Sequence, residues 1–263
     1  MQLRVTLCLA ALIFLSACGS SSHSGTSSSS SSSGSITGNW QMNLQPSDSK
    51  TNPRPQSGFL VQNNNLVTGS MIYVANPCTG VGNVQGTVTG TTISIVVSPT
   101  GTQVNLTGTV GAGQTTMNGT YTTLSMGCSG TNVAPATGTW IATLISPLSG
   151  NFSGTLTSAN NTVYQVTGQL TQGPNIGTSN ASLTGSVSVT GYCFSTANIS
   201  GVVSGTSAVI SLVTSAGAQI GQMNLTSSID GTSLTGSYNL LPQPEPPCGD
   251  GASGTVSLAV SNS

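Results

Sequence analysis

An internal repeat constrains the fold of this chain more than any other feature of its sequence. The phrase Ile36-Thr37-Gly38-Asn39-Trp40 returns as Leu148-Ser149-Gly150-Asn151-Phe152, roughly 115 residues later, and self-similarity at a fixed spacing indicates a repeated structural unit. Further matched segments are 67–70 with 183–186, 83–90 with 198–205, 105–107 with 224–226, and 117–121 with 234–238. The chain therefore contains two copies of one module, residues 36–146 and residues 147–263, which join near Ser146-Pro147.

Within each copy, apolar side chains alternate with polar ones, as Trp40, Met42 and Leu44 do in the first. Period-two alternation, with many Thr and Val residues and with Gly and Asn at the breaks, predicts β-strands. In module 1 the strands are predicted near residues 38–45, 57–62, 66–74, 82–89, 91–98, 102–110, 117–124 and 137–145. Short connections such as Asn63-Asn64-Asn65 predict antiparallel neighbours.

Eight antiparallel strands in roughly 110 residues can close into an up-and-down barrel or fold as a sandwich of two sheets. The barrel is favoured because module 1 begins and ends on similar phrases, Thr37-Gly38-Asn39-Trp40 and Thr137-Gly138-Thr139-Trp140. Closure also removes exposed sheet edges. The predicted fold class is all-β, with two tandem antiparallel eight-stranded barrel-like modules and a sandwich as the alternative.

The phrase at residues 36–40 resembles the first strand of avidin-like and lipocalin-like barrels, which open with a glycine, a spacer and a tryptophan. Residues 118–123 also resemble a strand of the avidin type. The second copy has Phe152 in place of the tryptophan, and the other tryptophans of an avidin biotin site have no counterpart. The resemblance therefore implies a barrel and does not imply biotin binding.

The first seventeen residues have the layout of a secretory signal: a basic Arg4, an apolar run over residues 7–15, and small residues before a cysteine. Leu15-Ser16-Ala17-Cys18 resembles the lipobox of bacterial lipoproteins, which are cleaved before the cysteine and acylated on it. The resemblance implies a signal peptide over residues 1–17 and a lipidated, palmitate-bearing Cys18. Since Gly19 stands where an aspartate would retain the protein in the inner membrane, it also implies the outer membrane.

Two other interpretations of this segment remain open. One is a plain secretory signal, and the other is a transmembrane anchor, for which the apolar run falls short of the about 20 residues required. Residues 18–35 are nearly all Ser, Gly and Thr, a composition typical of a flexible tether. Taken whole, the chain resembles low-charge, Ser/Thr/Gly-rich lipoproteins of environmental bacteria.

Of six cysteines, Cys8 lies in the signal and Cys18 is the lipidation site. The remaining four predict two disulfides in an oxidising compartment; they are Cys78, Cys128, Cys193 and Cys248. Three pairings are possible, and the repeat favours the pairing within copies, because Cys78 aligns with Cys193 and Cys128 with Cys248. The predicted disulfides are Cys78–Cys128 and Cys193–Cys248.

Only 3% of the residues are charged, against about 25% in an average protein. Nucleic-acid binding needs clustered Lys and Arg and is excluded. The one histidine, His23, lies in the tether, so neither module offers a base for a nucleophilic serine or a histidine for a metal. The acidic residues Asp230, Glu245 and Asp250 are interpreted as loop charges, and no catalytic residue, metal or cofactor is predicted.

One charged cluster stands out: Asp48, Lys50 and Arg54 in a loop that the second copy lacks. It is interpreted as a solubilising loop, with recognition of an anionic partner through Arg54 as the alternative. The candidate ligand-binding residues are aromatic: Trp40, Tyr73, Tyr121, Trp140, Phe152, Tyr192, Phe194 and Tyr238.

The predicted function is that of a non-enzymatic cell-envelope lipoprotein. Its modules bind a small molecule or a surface partner, and the lipid anchors it to the membrane. The alternative is a structural or adhesive protein that contacts glycans or matrix.

Overall fold

The structure, a computed structural model, describes residues 34–48, 52–75, 78–99, 102–124, 126–128, 131–133, 135–174, 179–191, 194–242 and 252–262. Cys8, Cys18, Lys50, Tyr192, Cys193, Glu245, Cys248 and Asp250 lie outside these residues, as does the whole predicted signal peptide. Among the residues described, no helix has the length and apolar character needed to cross a membrane.

Eight strands form barrel 1, and a small hairpin precedes the last of them. In chain order the strands are β1 (Gly38–Pro46), β2 (Arg54–Asn63), β3 (Leu66–Ala75), β4 (Cys78–Thr89), β5 (Thr92–Ser98), β6 (Val104–Val110), β7 (Thr116–Thr123), the hairpin β8 (Met126–Cys128) and β9 (Thr131–Val133), and β10 (Thr137–Ile145). Neighbours pair antiparallel, and β10 pairs back onto β1, with Leu44 opposite Trp140. The resemblance between the first and last phrases of the module therefore does reflect closure.

Barrel 2 repeats this plan of eight strands. Its strands are β11 (Gly150–Ser158), β12 (Val163–Gly173), β13 (Ala181–Val189), β14 (Thr196–Ser204), β15 (Ser207–Val213), β16 (Gln219–Ser227), β17 (Ser233–Leu240) and β18 (Ala252–Asn262). Strand β18 pairs antiparallel with β11 and closes the cylinder. The prediction of two tandem eight-stranded barrels is confirmed, and barrel rather than sandwich is the architecture.

Two strands begin three or more residues earlier in the structure than the sequence pattern predicts. Strand β2 begins at Arg54 rather than near residue 57, and β4 begins at Cys78 rather than near residue 82. In both segments Gly or Pro interrupts the alternation, which hides a strand from a pattern of period two. The extension of β2 matters because it brings Arg54 and Gln56 into the barrel wall.

Equivalent residues of the two copies close the two barrels, each at the end where the chain enters. Ile36 is fully buried, and its backbone N–H donates to Gln62 Oε1 at 3.0 Å. In barrel 2 the fully buried Leu148 donates in the same way to Gln172 Oε1 at 2.9 Å. The barrels are therefore related by contacts as well as by sequence, and each has one end closed by an apolar residue.

The barrels also pack against each other. Phe59 lies on the outer face of β2 in barrel 1, yet it is buried within the apolar cluster of barrel 2. At the connection between the barrels, Ser146 N donates to Ile229 O at 3.0 Å.

Candidate functional site

The aromatic residues predicted to bind ligand do not share one pocket. Barrel 1 buries Trp40, Tyr73, Tyr121 and Trp140, whereas barrel 2 buries Phe152 and Tyr238, with Phe194 partly buried against the same core. Tyr192 lies outside the described residues. The eight residues therefore divide between two separate interiors.

Both tryptophans have structural hydrogen bonds. Trp40 Nε1 donates to Ile36 O at 2.8 Å and so holds the residue that closes barrel 1. Trp140 Nε1 donates to Thr107 O at 3.2 Å and to Thr120 O at 3.1 Å. Since a buried indole N–H needs a partner, and here the partners are backbone carbonyls of the barrel itself, these side chains act as packing residues.

A cavity inside barrel 2 is too small for a ligand. It has a volume of about 10 Å³ and an apolar lining that includes Phe152, Leu212 and Met223. A volume of about 10–15 Å³ is the least that a single water occupies. This cavity therefore has no room for a small-molecule ligand.

Barrel 1 differs from barrel 2 at the end where β1 ends and β2 begins. Arg54 and Gln56 are two residues apart on β2 and so point to the same face. Tyr73 lies directly across from Gln56 on β3, and Arg54 Nη1 lies 3.5 Å from Tyr73 Oη, at the long limit of a hydrogen bond. Together with Tyr121 on β7, whose pKa responds to the charge of Arg54, these residues form what we name the Arg54 cluster.

The amide of Gln56 is the unusual group of this cluster. Gln56 is only 1% exposed, yet among the described residues neither Oε1 nor Nε2 has a hydrogen-bond partner. The hydroxyl of Tyr121, also 1% exposed, has none either. Leaving a buried polar group unpaired costs about 1–3 kcal/mol, so these atoms are placed to meet something besides the described protein groups.

In barrel 2 the positions equivalent to Gln56 and Tyr73 carry apolar side chains. Gln56 lies opposite Tyr73, and the matching pair in barrel 2 is Val166 opposite Val189. Tyr164 stands two residues before Val166, where barrel 1 has Arg54. Because the same scaffold closes with two valines, the polar residues of barrel 1 are not needed to form the barrel.

Electrostatics make the Arg54 cluster a set of hydrogen-bond donors beside a positive charge. Burial raises the pKa of Tyr73 above its ordinary value of 10.0, and Arg54 offsets part of the rise through its charge and its hydrogen bond. Burial likewise raises the pKa of Tyr121, with Arg54 again opposing. Both phenols are therefore protonated at neutral pH and can donate.

Asp48 and Arg54, two members of the predicted charged loop, differ in exposure. Asp48 is exposed, whereas Arg54 is partly buried and contacts Tyr73. The interpretation as a solubilising loop does not fit Arg54. Gln56 was not among the predicted site residues, although its alignment with Val166 in the second copy was a signal that could have found it.

A second recess lies between the barrels. It has a volume of about 220 Å³, is open on one side, and is lined mainly by apolar groups that include Phe59, Leu144, Pro147 and Pro174. Gln172, one of its polar residues, already accepts a hydrogen bond from Leu148 N. This recess offers volume and little chemical specificity.

The other candidates for chemistry remain apart. Asp230 lies in an exposed turn, where hydrogen bonds from Ser228 and Thr232 lower the pKa of its carboxyl group. Within the described ranges no three His, Cys, Asp or Glu side chains come together as a metal site would require. Glu245 and Asp250, interpreted from the sequence as loop charges, lie outside those ranges.

Comparison with known proteins adds little. No protein-family model matches the chain, and no curated protein matches it. Among solved structures, kievitone hydratase from Nectria haematococca is 10% identical, with 86% of this chain and 90% of that chain covered and a TM-score of 0.24. An AttH-like protein from Nitrosomonas europaea is 9% identical, with 84% and 91% covered and a TM-score of 0.21. At such TM-scores these likenesses support no conclusion about function.

Proposed function

We propose that the protein is a non-enzymatic lipoprotein of the cell envelope whose first barrel binds a small molecule at the Arg54 cluster. Barrel 2 serves as its structural partner. The observation that carries the proposal is the amide of Gln56, which is buried beside Tyr73 and finds no partner for either of its polar atoms in the part of the chain that the structure describes. A ligand that offers one acceptor and one donor satisfies both atoms and recovers the cost of burying them.

The position of the cluster suits this role. It lies at the end of barrel 1 opposite to the one that Ile36 closes, because β1 runs from Gly38 beside Ile36 to Pro46 beside the start of β2. The lipobox resemblance of Leu15-Ser16-Ala17-Cys18 supports an anchor in the outer membrane, and the Ser-rich composition of residues 19–34 supports a tether. The binding end would then be presented away from the point where the tether joins the barrel.

The alternative of glycan adhesion has weaker support. Sugars stack on exposed aromatic rings, and most of the described aromatic residues are buried in the cores, Trp40 and Trp140 among them. The described outer faces carry mainly Thr, Ser, Asn and Gln instead.

The test is native mass spectrometry of the Cys18→Ser protein purified from its own envelope. An added mass that disappears on denaturation, and that is absent from the Gln56→Val variant prepared in parallel, supports the proposal. The matched control is Ser94→Val on the outer face of β5, which should keep the added mass. A bare polypeptide mass in the wild-type preparation, or an added mass that Gln56→Val retains, contradicts it. Fractionation of the unaltered chain with membranes, and release by Cys18→Ser, tests the anchor.

A further inference from the structure

We infer that the ligand of the Arg54 cluster is a small oxyanion, a molecule whose carboxylate or phosphate group the cluster holds. This inference rests on the proposed binding at that end of barrel 1 and specifies its chemistry. It follows from the kinds of polar atom present, the charge, and the contrast with barrel 2.

The cluster contains many more donors than acceptors. The guanidinium of Arg54 and the Nε2 of Gln56 are donors, an arginine has no acceptor, and the hydroxyl of Tyr121 can donate as well. Gln56 Oε1 is the one carbonyl acceptor among these side chains, and the phenol oxygen of Tyr73 already accepts from Arg54. A donor-rich set matches a group that carries several oxygen lone pairs, and a carboxylate or a phosphate is such a group.

The charge points the same way. Arg54 is partly buried, and among the described residues its guanidinium donates to the neutral phenol of Tyr73. A partly buried guanidinium that donates to a neutral group retains much of its attraction for an anion. The surroundings strengthen that attraction, because Leu44 lies opposite Arg54 and packs beside Trp140, and apolar neighbours lower the local dielectric.

A neutral ligand fits less well. A sugar or an amide presents donors and acceptors in similar number, and the cluster would leave most of its own donors unmatched. The rings of Tyr73 and Tyr121 are each 1% exposed within the core of barrel 1, so they offer little face for stacking. An ordered water could pair with the amide of Gln56, but a neutral water does not match the positive charge of Arg54 as an anion does.

The test is isothermal titration calorimetry on the complete Cys18→Ser protein, with sodium acetate, inorganic phosphate and acetamide as probes. Acetamide matches acetate in size and lacks its charge. We expect saturable binding of acetate or phosphate, and binding of acetamide that is weaker by at least about tenfold, as expected for loss of a charge-assisted hydrogen bond. Tighter binding of acetate indicates a carboxylate ligand, and tighter binding of phosphate indicates a phosphate ligand.

Two variants assign the binding to Arg54. Arg54→Gln should weaken anion binding by at least about tenfold, and Lys50→Gln, which makes the same charge change nearby in the sequence, should leave it within about twofold. Arg54→Tyr, the residue that barrel 2 carries as Tyr164, repeats the test should the glutamine variant not fold. Circular dichroism of each variant verifies the fold.

The outcomes separate this inference from the proposed function. The oxyanion inference is wrong if acetamide and acetate bind equally well, or if Arg54→Gln and Lys50→Gln lose anion affinity equally. Either result leaves the proposal of a ligand at Gln56 standing. An envelope-derived ligand that is neutral does the same. If no probe binds and no envelope-derived mass is found, both the oxyanion inference and the proposed binding function are wrong. The amide of Gln56 would then be paired by ordered water alone.

Discussion

The side-chain amide of Asn39 in barrel 1 holds the backbone of Gly205 in barrel 2 by two hydrogen bonds. Asn39 Nδ2 donates to Gly205 O at 2.8 Å, and Gly205 N donates to Asn39 Oδ1 at 2.7 Å. Asn39 is only 2% exposed, and beside it Ser57 Oγ lies 2.8 Å from Ser204 Oγ. The turn between β14 and β15 is therefore fixed on the outer face of β1 and β2, and the barrels are joined by specific polar contacts as well as by Phe59.

We predict that Asn39→Ala lowers the free energy of unfolding by about 1–3 kcal/mol, because the buried N–H and C=O of Gly205 lose their partner. The matched control is Asn151→Ala. Asn151 occupies the equivalent position of barrel 2 and is exposed, so its removal should change the free energy by less than about 0.5 kcal/mol. Urea unfolding measures both, and equal losses in the two variants would contradict a role for the junction.

Gly205 and Gly90 allow the junction to be tested from the other side. They occupy equivalent turns with φ of +57° and +60°, so alanine should cost either turn about 1–2 kcal/mol in backbone strain. A Cβ on Gly205 would also lie 2.1 Å from Gln41 Oε1 and 2.8 Å from Ser57 Cβ, whereas a Cβ on Gly90 meets no atom within 4 Å. Thermal unfolding should show Gly205→Ala to be the less stable variant by at least about 1 kcal/mol. A Gly90→Ala variant that is equally unstable would show that strain alone decides.

The disulfides stay predictions, and the backbone of barrel 1 is compatible with one of them. Cys78 begins β4 and Cys128 ends β8. Since antiparallel strands alternate in direction, the connections that contain these residues lie at the same end of the barrel. Peptide mapping without reduction should find Cys78 linked to Cys128 and Cys193 linked to Cys248. A link between Cys78 and Cys193 would show that the repeat misassigns the pairing.

The sequence predicted the barrels because two independent signals agreed. Alternation placed Trp40, Met42 and Leu44 on one face, and all three are buried. The repeat then required one fold to serve both copies. The β8–β9 hairpin was missed, since strands of three residues are too short for alternation to show.

One matched phrase of the repeat has a different register from the one expected. The sequence aligns Leu106 with Leu225, but Leu106 lies opposite Tyr121, and the residue opposite the equivalent Tyr238 is Met223. A shift by two residues keeps each side chain on its original face of the sheet. Segments rich in Asn and Thr can therefore be aligned between the two copies in either register. Pairing between strands, and not the sequence match, determines which residues are equivalent.

The junction and the candidate site show what the repeat alone cannot predict. Asn39 and Asn151 stand in the same phrase, and only the neighbouring barrel makes one buried and the other exposed. Arg54 was named from the sequence as a member of a charged cluster, and Tyr73 and Tyr121 were named as candidate aromatic ligand residues. Their association depends on the barrel register, which also adds Gln56.

We predict that Gln56→Val raises the free energy of unfolding of ligand-free protein by about 1–3 kcal/mol, because it removes an unpaired buried amide. The reciprocal control is Val166→Gln, which places an amide in the apolar interior of barrel 2 and should lower the free energy by a similar or larger amount. Urea unfolding of protein refolded without ligand measures both. A loss of stability in Gln56→Val would show that the amide is paired in the ligand-free protein and would weaken the case for a ligand.

The last prediction concerns alkaline pH. Burial raises the pKa of Tyr73 and Tyr121 in the folded protein above the ordinary value of 10.0, while the positive charge of Arg54 lowers it. A group whose folded pKa exceeds its unfolded pKa stabilises the fold fully below the unfolded pKa, and that stabilisation is lost as the pH rises through the folded pKa. The free energy of unfolding should therefore begin to fall above about pH 10, and Tyr73→Phe should reduce the fall. In tyrosinate absorbance titrations, Arg54→Gln should move the ionisation of Tyr73 to higher pH, and Arg54→Lys, which keeps the charge, should move it less. Equal titrations in the two arginine variants would show that the charge of Arg54 does not reach the phenol, and the donor set of the cluster would then have to be reconsidered without it.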